Sequence, residues 1–519
     1  MKIERTKNAT RNIVFGVVLK IYQILIPFVM RTIMIHYLGV QYLGLNSLFT
    51  SILQVLNLAE LGVGSAMVYS MYKPIAQDDK ETMCSLMRLY RTYYRIIGLV
   101  IAVSGIIITP VVPKLIHGTV PSDMNVYVLY LMNLAATVLS YWLFAYKNSV
   151  FQAFQRQDVV SKVTLITNTI QYVLQIGAIV VLHNYYVYIM FLLACQALNN
   201  IITAIVATKM YPDLRPGKPL AKDQVATINH RIRDLFTSKV GAVVVNSADT
   251  IVISAFLGLT MLAIYQNYFY IMTAIIGFVD VILNSCTAGI GNSLIVESKK
   301  KNFNDLKKFT FLISWIAGFC SCCFLNLYQP FMEMWVGKDL MMGMPAVIYL
   351  VIYYYIYEIN RLLNTYKDAG GIWHSDRFRP LVTALANLIM NIIMVQFWGI
   401  YGIVLSTVLS TAFVGMPWLL HNLFHTMFEP KDFASYFAKL MYYAVMVVLS
   451  CVVSGVICSK IMISPLILRF LVRFVVCLVV PNAMYYFAFR KMHEYKQALG
   501  LVDRITKHKI GFLRKYANE

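Results

Sequence analysis

Apolar runs long enough to cross a membrane, set end to end with short connectors, constrain this chain more than anything else in it. A spanning helix needs about 20 apolar residues. Fourteen runs qualify: roughly 12–36, 41–71, 91–112, 125–146, 160–182, 185–207, 236–257, 261–285, 309–332, 344–364, 379–398, 401–424, 437–458 and 465–489. The chain is 59% hydrophobic and 13% charged, about half the charge of a soluble domain. The expected class is an all-α integral membrane protein with about 14 transmembrane helices.

The formal net charge of +21 would suggest nucleic acid in a soluble chain. Here it reads as topology, because no basic, aromatic-rich globular region is left over to bind nucleic acid. The N-terminal tail, the even-numbered connectors and the C-terminal tail together hold about 38 of the 45 basic residues, which places that side, with both termini, in the cytoplasm. The opposite side holds Lys114, Lys338 and Lys460. Its largest connectors, near 113–124 and 333–343, leave no room for an extracytoplasmic catalytic domain. The start, MKIERTKNATRN, is basic and has no small-x-small cleavage site, so it reads as an uncleaved cytoplasmic tail. The longest connector, about 208–235, contains the amphipathic TINHRIRDLF, expected to lie as a helix on the inner leaflet.

No cofactor or metal is expected. Most of the nine cysteines lie in apolar spans without a CxxC pair or a His/Cys cluster, and read as small buried hydrophobes. His421 and His425 have i,i+4 spacing but lack the Glu of HExxH, and no P-loop motif is present to bind ATP.

HYLGVQYLGLNSLFTSIL, from His36, is echoed by AFLGLTMLAIYQNYFYIM, from Ala255. Leu38-Gly39 matches Leu257-Gly258 at a spacing of 219 residues, Glu60 pairs with Asp280, and a Gly-x-Gly follows each acid. Spans 1–6 and 7–12 therefore read as two pseudo-symmetric six-helix lobes inserted the same way up, with spans 13 and 14 as an appendix. The expected division is an N-lobe at 1–209, a cytoplasmic amphipathic linker at 210–235, a C-lobe at 236–425, spans 13–14 at 426–489 and a basic tail at 490–519. Two lobes of this kind would enclose a cleft opening to either side in turn.

Three stretches resemble Wzx-type bacterial polysaccharide-biosynthesis flippases, within the multidrug/oligosaccharidyl-lipid/polysaccharide exporter superfamily. They are RTIMIHYLGVQYLGLNSLFTSILQVLNLAELGVGSAMVYSMYKPIAQDD from Arg31, KVGAVVVNSADTIVISAFLGL from Lys239, and SDRFRPL at 375–381. The resemblance implies a V of two six-helix lobes in the bacterial plasma membrane. It also implies translocation of an undecaprenyl-pyrophosphate-linked oligosaccharide from the inner to the outer leaflet. Membrane lipids, a polysaccharide polymerase and glycosyltransferases are the partners it suggests, with the chain a monomer.

Ionisable residues inside spans mark cavities or partners, because insertion alone costs about 2.5–3.5 kcal/mol at mid-bilayer. Arg31 either snorkels to an interface or holds the lipid pyrophosphate with its planar donor fork. Lys20, three helical turns earlier, falls on nearly the same face. Asp249, with Asn246 and Ser247 in span 7, either faces Arg31 across the cleft or bonds a neighbouring helix. Glu60 and Asp280 are read as proton-coupling or gating acids, or as structural acceptors beside glycines that permit close approach. Glu358 and Arg361, three apart in span 10, are expected to pair with each other. Two rival functions stay open: an ion-coupled drug exporter of the same superfamily, and a polytopic polymerase, which the short outer connectors disfavour.

Overall fold

The computed structural model describes residues 5–118 and 120–505. Every regular element among them is helical, as hydropathy requires, and no strand occurs among the described residues. Twelve helices are long and apolar enough to cross a membrane, or thirteen if the pair Val126–Trp142 and Ala145–Ala153, bent by 48°, is one crossing. The count is lower than the fourteen expected runs because span 4 is that bent pair and spans 7 and 8 abut without a loop, two helices meeting at a kink within Lys222–Val296. The kink lies at Gly258, with φ 85° and ψ 175°, in the short connector expected between the two spans.

The chain divides into two compact units, Met1–Ala263 and Ile264–Glu519. The first contains α1 (Arg5–Tyr37), α2 (Val40–Leu56), α3 (Val63–Ala76), α4 (Lys80–Ile108), α5 (Val126–Trp142), α6 (Asn148–Ala153), α7 (Gln157–Val180), α8 (Tyr185–Met210) and the opening of α9 (Lys222–Val296). The second contains the rest of α9, then α10 (Lys299–Trp335), α11 (Met344–Ala369), α12 (Arg379–Trp398), α13 (Ile400–Leu409), α14 (Met416–Thr426), α15 (Phe433–Ser459), α16 (Leu466–Phe489) and α17 (His493–Ile505).

Local chemistry sets many of these ends. Asp79, Asn125, Asn184 and Ser298 cap α4, α5, α8 and α10, each accepting a bond from a first-turn N–H. Pro345 and Pro380 sit in the first turns of α11 and α12, where their missing N–H costs nothing. The internal repeat is visible in the backbone. Gly39 (φ 114°, ψ 160°) and Gly258 break their helices in the same glycine-specific conformation, 219 residues apart. Gly118 and Gly337, also 219 apart, share a φ of 84°.

In the first unit α1 packs on α7, α7 on α8, α4 on α5, and α5 on α8. Leu45, Leu48, Phe49, Tyr130 and Ile101 are fully buried at its centre. Gly44 brings α2 against α9: a Cβ there would stand 2.1 Å from the Leu259 carbonyl oxygen. The amphipathic TINHRIRDLF stretch is the beginning of α9 and packs on the protein. Ile228 is buried, Tyr93 donates to Asn229 at 2.6 Å, and the Arg231 guanidinium lies 4.8 Å from the Tyr69 ring. The connector before it is tied to α4. Lys80 bonds Asp213 at 2.7 Å and holds that carboxyl below the usual range. The Gly217 N–H donates to the Cys84 carbonyl at 2.9 Å, and Arg88 donates to the Gly217 carbonyl at 3.1 Å.

In the second unit α10 is the hub, packed on α11, α15 and α16. One core gathers Leu306, Leu362, Leu363, Tyr366, Leu419 and Leu423; another gathers Phe311, Tyr443, Tyr485 and Phe489. Between α10, α11, α14 and α15 lies an apolar cavity of about 960 Å³. His421 and His425 line it with their rings 4.3 Å apart. All nine cysteines are free thiols, Cys322 and Cys451 in contact at 3.4 Å.

Candidate functional site

Glu60 stands where the second apolar run breaks. The run of 37 residues is longer than one straight crossing needs, and the chain resolves the excess by closing Asn57–Glu60 into a 3₁₀ turn between α2 and α3. Gly62 permits the break. Its φ of 89° favours glycine, and a side chain would meet the Leu235 Cβ at 2.8 Å and the Ile232 carbonyl at 2.9 Å on α9. Gly64 then lets a tyrosine approach, since a Cβ would lie 3.2 Å from the Tyr90 hydroxyl.

Three tyrosines converge on this carboxyl. Tyr94 donates to Oε1 at 2.8 Å, Tyr141 donates to Oε2 at 3.2 Å, and Tyr90 donates to the Tyr94 oxygen at 2.7 Å. Their rings pack edge to face or tilted, with centroids 4.4 Å (Tyr90–Tyr94) and 5.4 Å (Tyr94–Tyr141) apart. The carboxyl is thus held by hydroxyls from α4 and α5 and not by an ion pair. Tyr94→Phe removes the shorter bond, and is expected to destabilise the first unit by about 1.5–3 kcal/mol. Tyr141→Phe should cost less. Thermal unfolding in detergent checks the order, and equal losses would count against it.

The matching acid of the second unit is placed otherwise. Asp280 lies within the helical part of α9 beyond Gly258 and accepts from the Arg361 Nε at 2.6 Å. This corrects the expected Glu358–Arg361 pair. Arg361 reaches across to α9 instead of along its own helix, because Glu358 points into the interior and is 1% exposed, whereas Asp280 and Arg361 are about a third exposed.

The SDRFRPL stretch builds a latch. Arg379 grips Asp376 with two parallel bonds, Nε to Oδ1 at 2.6 Å and Nη2 to Oδ2 at 2.7 Å. Arg379 also donates to Asn364 at 2.8 Å, and Asn422 donates to Asp376 at 3.0 Å. Lys367 adds a contact at 3.5 Å. The ends of α11, α12 and α14 are thereby tied together. The first unit carries the same device 218 residues earlier, which sequence reasoning missed. Asp158, fully buried, is held by Arg156 at 2.9 Å and Lys162 at 3.6 Å, and its N–H donates to Asn12 on α1 at 2.8 Å. The signal for it was a charge triplet, Arg156, Asp158 and Lys162, at the start of an apolar run.

The remaining sequence-predicted residues lie in the first unit. Arg31 is half-buried on α1, within electrostatic reach of Tyr188 on α8. Lys20 is exposed on the same helix. Asp249 is buried on α9, as are Ser247, Thr250 and Ser254 on the same helix, and both Arg31 and Asp249 are engaged by neighbouring groups. The side chain of Asn246 lies outside the described residues. Among the described residues, no group of three or more His, Cys, Asp or Glu is placed to hold a metal ion.

No protein-family model matches the chain, and no curated protein matches it in sequence. Solved structures do. The lipid II flippase MurJ in an inward closed conformation aligns with 92% of this chain and 99% of its own, with a TM-score of 0.69 at 15% identity. An inward-facing multidrug resistance MATE family transporter of the MOP superfamily aligns with 79% of this chain and 97% of its own, at 0.59 and 13%. A mutant of the Vibrio cholerae MATE transporter VcmN aligns with 80% and 96%, at 0.55 and 14%. At these identities the likeness is one of fold. The chain is a multi-pass membrane protein with the fold of MOP-superfamily transporters.

Proposed function

We propose that this transporter fold carries an undecaprenyl-pyrophosphate-linked oligosaccharide from the inner to the outer leaflet of a bacterial plasma membrane by alternating access, for surface polysaccharide synthesis. The observation that carries the reading is the likeness to a lipid-linked precursor flippase over 92% of the chain, against 79% for the MATE transporter. The three stretches resembling Wzx-type flippases support it. So does the charge of α1: Lys20 and Arg31 suit an anionic headgroup, and Arg31 offers the planar fork that phosphate oxygens match. In this reading Arg31 and Lys20 bind the pyrophosphate with Asp249 and Asn246 beside them, Glu60 and Asp280 serve coupling or gating, both termini face the cytoplasm, and polymerase and glycosyltransferases act on either side of the step.

The purified protein in liposomes, given an undecaprenyl-pyrophosphate oligosaccharide with a fluorescent sugar, should move the label to the opposite leaflet, read by quenching from outside. Arg31→Ala should slow this by about tenfold or more, the loss of one charge-assisted bond to phosphate, while inserting normally. Unchanged flipping in that variant sinks the pyrophosphate role. A second reading, ion-coupled drug export, draws on the MATE likeness. Cationic dye transport with no movement of the labelled lipid would favour it.

A further inference from the structure

Glu358 is an acid buried away from solvent without a hydrogen-bond donor: it is 1% exposed on α11, and neither of its carboxyl oxygens has a hydrogen-bond partner among the described residues. One helical turn on, Arg361 gives its Nε to Asp280 at 2.6 Å. The titratable and charged groups around Glu358 are Asp280 on α9, Cys320 on α10, and Tyr354, Tyr357 and Arg361 on its own helix. Of the other helices packed on α11, α13 brings Tyr401, and α14 brings His421 and His425, which face the apolar cavity beside Tyr355 and Ile359. An ionised carboxylate here would be a buried charge with no donor and a second acid nearby. The nearest cation is already committed to that second acid.

We propose that Glu358 is a proton-binding site whose occupancy is set by a guanidinium shared between two acids. While Arg361 rests on Asp280, Glu358 is the neutral acid, and the trio is uncharged overall. When Arg361 turns along its helix to Glu358, the i,i+3 spacing allows the pair, and Glu358 gives one proton to water. Asp280, about a third exposed, then stays ionised in contact with solvent. The Arg361–Asp280 bond breaks, an Arg361–Glu358 bond forms, one proton leaves, and the trio goes from neutral to one negative charge. Used by a transporter, a site of this kind ties proton release to the position of a helix. That use rests on the proposed function; the site itself does not.

Infrared spectra of the full-length protein in lipid nanodiscs at neutral pH test it without substrate. The wild type should show the carbonyl stretch of a protonated carboxylic acid, shifted in D2O, that is lost in Glu358→Gln. Asp280→Asn leaves Glu358 in place, but should also lose the band, because Arg361 is released to ionise Glu358. No difference between wild type and Glu358→Gln would overturn the proton site. A band that survives Asp280→Asn would overturn the sharing of Arg361. Should Glu358→Gln fail to fold, the double variant Asp280→Asn/Arg361→Gln decides: with Asp280 and the guanidinium both gone the band should persist, and its absence would overturn Glu358 as the acid. A negative flipping assay leaves these spectra unchanged, so the two readings fail separately.

Discussion

Arg379→Ala is expected to destabilise the second unit by about 3–5 kcal/mol, the range for stripping one partner from a buried ion pair. The magnitude follows from burial and geometry. Asp376 and Arg379 expose only 2% and 7% of their side chains, and they meet through two short parallel bonds. Without the guanidinium, Asp376 keeps Asn422 at 3.0 Å and Lys367 at 3.5 Å, neither of which reproduces a planar fork. Asn364 loses its donor as well. Arg379→Lys should fall between, with a point charge and no second parallel bond. Replacing both Asp376 and Arg379 by apolar residues of similar volume should be milder than Arg379→Ala, because no charge is left behind. In the first unit Arg156→Ala should cost less, since Arg156 is 23% exposed and Lys162 also faces Asp158. Thermal unfolding in detergent measures all four. A wild-type melting temperature for Arg379→Ala would mean that water reaches Asp376 freely.

Gly258→Ala should be nearly as damaging, for a different reason. Its φ of 85° with ψ of 175° lies in a region essentially reserved for glycine, at a strain of about 1–3 kcal/mol for any side chain. The new Cβ would also stand 2.8 Å from the His117 carbonyl oxygen, in a loop that docks on α9 through the His117 N–H and the Ser254 carbonyl at 2.9 Å. Gly39 is the natural control. It has the same kind of backbone, but nothing lies within 4 Å of its would-be Cβ. Gly39→Ala should therefore carry the strain alone, and the difference between the two variants isolates the contact with the loop. Equal losses would show that strain is the whole effect.

Much of the fold is legible in the sequence because lipid imposes one rule on the backbone. Each apolar run must satisfy its own hydrogen bonds, so each becomes a helix. Hydropathy does not report how two spans are joined, and spans 7 and 8 meet at the Gly258 kink with no loop between them. The Leu-Gly pairs at 38–39 and 257–258 were readable because a glycine-specific conformation leaves glycine in both copies. Gly118 and Gly337 share a φ too, but the residues around them differ, so their kinship shows only in the backbone. Glu60 stood out as an acid in an apolar run, but its donors come from α4 and α5, far along the chain. Glu358 and Arg361 show the opposite case. Their spacing made a local pair plausible, and a distant acid on α9 took the arginine instead. SDRFRPL stood out only as a stretch of family resemblance, and the fold uses at least Asp376 and Arg379 to fasten three helix ends.

The stretch Tyr211–Ala221 has the composition of a spacer, with three prolines, a glycine and an exposed lysine. The fold treats it as a seam. Asp213, Gly217 and Lys218 are each stitched to α4, at Lys80, at Cys84 with Arg88, and at Glu81, and Tyr211 stacks on Phe154 at 4.6 Å. A Cβ on Gly217 would already crowd the Cys84 Cβ at 2.9 Å. For anyone wishing to insert an epitope, a fluorescent reporter or a protease site into this protein, the loop that looks most permissive on paper is one whose opening would pull on α4, the helix that carries Tyr90 and Tyr94.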